Sequence, residues 1–72
     1  MLTRKEIEEL RKGEILSDGY GRWIEVADTS RLEQFGDIEV FELEPNEAGD
    51  LVRADGDTIL LTAGELSRWS RT

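Results

Sequence analysis

The chain reads as one α+β domain: a small bent antiparallel sheet, or a partly open barrel, of about five short strands, flanked by an N-terminal and a C-terminal helix. Three observations predict this. A threonine followed three residues later by a glutamate, the signal that starts a helix, stands near each end, at Thr3/Glu6 and Thr62/Glu65. Between them, short apolar runs are interrupted by Gly, Asp and Pro, as strands are by turns. A length of 72 residues allows one small core and a single domain, residues 1–72.

The first signal is a capping box with Leu2 and Ile7 as its hydrophobic staple, so a helix is expected from Arg4 to Lys12, stopping at Gly13, with Ile7 and Leu10 inward. Glu14–Ser17 reads as a strand, Asp18–Gly21 as a turn, and Arg22–Ala27 as a strand with Ile24 and Val26 on one face. Asp28-Thr29-Ser30 breaks the chain and Arg31–Gln34 reads as a single helical turn. Asp37–Glu44 is the third strand and Pro45–Asp50 a loop. Leu51–Ala54 and Thr58–Leu61 are expected to form a hairpin across Asp55-Gly56-Asp57, because Asp-Gly is a favoured turn pair. The second box, with Leu61 and Leu66 as staple, opens a helix over Ala63–Ser70 that buries Leu66 and Trp69. Neither helix is long enough to stand alone in water.

The third strand breaks the pattern. Ile38 and Val40 point one way, Phe41 and Leu43 the other, so a period of two cannot bury all four on one face. A bulge near Val40-Phe41 would restore the phase. A central strand covered on both sides is the simpler reading, and Leu60 and Leu61 have the same two-sided character. A flatter sheet with both helices on one face is the alternative architecture.

Composition excludes much chemistry. The chain has seventeen acids, nine bases, no histidine and no cysteine, and its only lysines are Lys5 and Lys12. Thiol chemistry, Cys/His zinc sites and a histidine base are ruled out. Ser17, Ser30, Ser67 and Ser70 have no histidine to activate them. Paired carboxylates need a cleft that so short a chain rarely builds. No catalytic residue, cofactor or enzyme activity is therefore expected. Asp50, Asp55 and Asp57 lack the register of a calcium loop and read as turn-capping acids, so no specific metal is expected. No apolar run nears the ~20 residues of a membrane span, and Met1–Glu6 does not open a signal peptide, which points to a cytoplasmic protein.

The net charge of −8 suits solubility, adaptation to high salt, or imitation of nucleic-acid phosphates. An acid excess with scarce lysine is similar in composition to proteins of halophilic archaea, which implies an environment and no activity. Two surfaces emerge as candidate sites. Tyr20, Arg22, Trp23 and Arg53 have the composition of a protein-interaction hot spot, for a protein partner or a homodimer. Nucleic-acid binding is disfavoured by the overall field. The acidic stretch Glu33–Asp50, with Glu39, Glu42 and Glu44 on its strand, is the alternative: a mimic or inhibitor occupying a nucleic-acid-binding partner.

Overall fold

Antiparallel pairing gathers the strands into one open five-stranded sheet, seen in a computed structural model that describes all 72 residues. The elements are α1 (Arg4–Glu8), β1 (Ile15–Ser17), β2 (Trp23–Asp28), α2 (Leu32–Phe35), β3 (Asp37–Pro45), β4 (Leu51–Thr62), α3 (Ala63–Leu66) and β5 (Ser70–Arg71). Strand order is β4-β3-β2-β1-β5, with both β4 and β5 left as edges. The sheet is therefore not a barrel. Closure would require β4 to pair with β5, and β5 offers only two residues for such a ladder.

Both capping boxes form. Thr3 Oγ1 accepts the Glu6 N–H at 3.2 Å while Glu6 Oε1 accepts the Thr3 N–H at 2.9 Å. Thr62 and Glu65 repeat the exchange at 3.2 and 3.1 Å. Yet the helices end early, α1 at Glu8 rather than Lys12 and α3 at Leu66 rather than Ser70. The residues beyond each helix are drawn into the sheet. Gly13 N–H donates to the Val26 carbonyl and Val26 N–H to that of Glu14, both at 2.8 Å. Ser70 and Arg71, expected inside a helix, instead pair with Ser17 and Leu16 as β5. Thr62→Ala should lower stability by about 1 kcal/mol in urea melts, since it strips one orphan amide of its acceptor. An unchanged midpoint would mean that α3 does not depend on its cap.

Ten residues, all apolar, are buried: Leu16, Ile24, Val26, Ile38 and Val40 from the sheet, and Leu2, Ile7, Leu10, Leu66 and Trp69 from the helices and their flanks. The five sheet residues share one face, so the helices all lie there, as in the flatter alternative. No buried side-chain polar atom lacks a partner. No helix is long and apolar enough to cross a membrane.

The expected Asp55-Gly56-Asp57 hairpin does not exist. Phe41 pairs with Thr58, and Leu43 pairs with Arg53. One residue of β3, Glu42, thus faces four of β4, Ala54–Asp57, and the extra length is a bulge in a continuous edge strand. Asp55 Oδ1 accepts the Asp57 N–H at 2.8 Å and holds the kink. The true reversal is at Asn46–Asp50, where Asn46 Oδ1 accepts the N–H groups of Ala48 and Asp50, each at 2.9 Å, and Gly49 takes φ +85°.

β3 resolves its two-sided pattern without a bulge of its own and without a second layer. Ile38 and Val40 enter the core, while Phe41 and Leu43 stand half-buried on the opposite face. There the Arg53 guanidinium lies 3.8 Å from the Phe41 ring centroid. The expectation of cover on both sides is corrected: neighbouring side chains are the only cover on that face.

Two carboxyl groups tie local structure to pH. The Thr3 amide and hydroxyl hold Glu6 below its ordinary pKa, and those of Ser30 do the same for Asp28. Each group binds its proton more weakly folded than unfolded. Its stabilisation is complete above the unfolded pKa and is lost as pH falls through the lower folded value. Melts should therefore hold near neutrality and weaken as pH falls from the ordinary carboxylate pKa through the lower folded values, with Glu6→Ala and Asp28→Ala each flattening the decline. Identical acid limbs in wild type and both variants would remove these caps from the account.

Candidate interaction faces

Alternation along the strands divides the candidate residues between two faces. Cross-strand pairing sets Trp23 opposite Leu43 and Leu43 opposite Arg53, making one row on the face away from the helices. Ser17 of β1 continues this row beside Trp23. The next row on the same face runs Ile15, Glu25, Phe41, Thr58. A third joins Asp28, Glu39 and Leu60, with Leu60 49% exposed.

Glu25 and Asp37 on this open face are each neutralised by an arginine of the chain, whereas Asp28 and Glu39 have no base within ion-pairing distance. Arg53 Nε donates to Glu25 Oε1 at 3.1 Å and its Nη2 to Oε2 at 3.4 Å. Arg31 grips Asp37 in the same two-pronged way, at 2.7 and 3.3 Å, and that hydrogen bonding pushes the guanidinium pKa up. Glu39 accepts a hydrogen bond from the Thr58 hydroxyl at 3.4 Å. The result is a half-buried patch of Ile15, Trp23, Phe41 and Leu43, continued by exposed Leu60, with its own acid Glu25 paired.

Tyr20 and Arg22 belong to the other side. They line a cleft of about 430 Å³ whose apolar walls are Ile24, Ile59, Leu61 and Trp69. Asp18 shapes the entrance by accepting the N–H groups of Tyr20 and Arg22 at 2.8 and 3.1 Å. Arg22 lies 5.7 Å from the Trp69 ring centroid and reaches Glu42 at 3.5 Å. The four residues expected to act together are therefore split, Tyr20 and Arg22 towards the cleft and Trp23 and Arg53 on the open face. Phe41 and Leu43 join the open patch although the sequence pattern alone does not single them out for it. Their reversed phase on β3 is the signal that points there.

The acids divide too. Glu42 and Glu44 share the helix-bearing face with Ile38 and Val40, whereas Glu39 points to the open one. No three carboxylates come together in a geometry that would hold a metal ion. The shifts at Glu6, Asp28 and Arg31 each favour the charged form, the reverse of what an acid or base poised near neutrality requires. No protein-family model matches the chain, and neither a curated protein nor a solved structure matches it.

Proposed function

We propose that this chain is a non-catalytic protein-binding module that works in the cytoplasm of a salt-loving microbe and docks through the open sheet face. The observation that carries this reading is the contiguous Ile15–Trp23–Leu43–Phe41 patch, which no layer of the chain covers. An aromatic pair beside an arginine that is already held in place is the composition of an interaction hot spot. The Tyr20–Trp23 surface expected from composition narrows to its Trp23–Arg53 half. Nucleic acid is not the partner, because the field of a −8 molecule repels phosphates. The nucleic-acid-mimic reading weakens with Glu39 turned away from Glu42 and Glu44, which leaves two acids in a row.

A photo-crosslinking side chain placed at Ser17 or Leu60 should form protein adducts inside the producing cells, while one at Gln34, off this face, should not. Failure to crosslink at both open-face positions would sink the reading. Adaptation to salt predicts stability that rises from dilute buffer to molar salt, because acids concentrated on a small surface repel one another until screened. Equal urea midpoints at both salt levels would refute it.

A further inference from the structure

We infer that the partner on the open face is a second copy of this chain, packed sheet against sheet. The inference rests on the docking reading above and adds the identity of the occupant.

Charge supplies the first argument. Two copies of a −8 molecule repel, so they meet most readily where part of the local charge is cancelled. The open face is such a place. Glu25 is paired with Arg53 and Asp37 with Arg31, which leaves Asp28 and Glu39, in the row with Leu60, as the carboxylates of this face that salt must screen. Glu44, Glu47, Asp50, Asp55 and Asp57 have no base within ion-pairing distance, and none of them is in the patch. A basic partner would be drawn to those acids along the β3–β4 end and the β4 edge. The apolar patch, whose own acid Glu25 is paired, offers it less and suits a copy of like charge once salt screens Asp28 and Glu39.

Area supplies the second. The Cα extents are 38 × 24 × 16 Å, a plate whose thin dimension is that of one sheet and one layer of helices. A broad face of those dimensions matches the ~800 Å² per partner of a standard stable interface. Two such plates joined by their open faces form a helix–sheet–sheet–helix sandwich, with the inner sheets about 10 Å apart. Trp23 and Phe41, on the two middle strands of the patch, then lie at the centre. A core of only ten buried residues is deepened by the same step.

The pairing is isologous, so one substitution strikes the interface twice. Sedimentation or light scattering of the purified chain should give twice the monomer mass of 8.2 kDa, with the dimer tightening as salt rises. Leu60→Arg and Leu43→Arg should each raise the dissociation constant at least tenfold. Leu60 is 49% exposed, so that variant keeps its fold even if Leu43→Arg does not. Tyr20→Ala, on the opposite side, should leave the dimer intact. A folded monomer at every salt concentration, or a dimer indifferent to Leu60→Arg, overturns the inference. If the crosslinker at Ser17 or Leu60 then captures a different protein, the docking reading survives and only the second copy is lost. If it captures nothing, both fall.

Discussion

Ile38→Ala is expected to cost roughly 2–5 kcal/mol and to leave much of the population unfolded at room temperature. Ile38 is 0% exposed, on β3, where it pairs with Leu61 of β4 and shares a core face with Val40 and Val26. Alanine would remove its apolar contacts and leave a hole that ten buried residues cannot close by rearranging. A chain of this length has on the order of 4–11 kcal/mol to lose. One substitution therefore removes a large share of the total. Urea denaturation followed by tryptophan fluorescence measures the loss directly. A midpoint matching wild type would mean that the sheet and helices are not joined through this core.

Deleting Asp55-Gly56-Asp57 is expected to preserve the fold and to make the protein aggregate. In the present register Thr58 faces Phe41 and Arg53 faces Leu43. Removing three residues brings Ala54 opposite Glu42 and leaves both flanking pairs as they are. The bulge vanishes and β4 becomes a flat edge carrying the exposed Val52, Ile59 and Leu60. Bulges and charges on edge strands block pairing with other molecules, and this deletion removes one bulge and two acids. Circular dichroism should look native at low concentration, while turbidity on warming should rise well above wild type. If the segment were a hairpin turn, the deletion would join two strands with no loop and abolish folding. Loss of the native spectrum would thus restore the hairpin.

The two alternatives for Asp55-Gly56-Asp57 show how far local sequence reaches. Thr3/Glu6 and Thr62/Glu65 act over three residues, so both capping boxes are legible in the chain alone. Ile24/Val26 and Ile38/Val40 show their inward faces through alternation. An Asp-Gly pair, however, bends a strand as readily as it reverses one, and the choice depends on β3, whose position is set by distant pairing. Ser70 and Arg71 have no strong strand preference and are recruited by the open edge of β1. The same limit applies to the candidate site. Counting places Trp23 opposite Ile24 and Val26, but Arg53 joins its face only through the register of two further pairings. Its stacking on Phe41 explains how a strand with apolar residues on both sides tolerates having one side bare.

None of the three helices exceeds five residues, and this sets the order in which the chain folds. Helical nucleation is too unfavourable for such segments to persist in a disordered chain, whatever their caps. The earliest native-like contacts must arise in the β-meander formed by β1, β2, β3 and β4, whose strands pair with their neighbours in sequence. α1 and α3 can condense only onto a surface that already exists. Their amides should accordingly exchange with solvent before those of β2 and β3, and folding should pass over a single barrier without a helical intermediate.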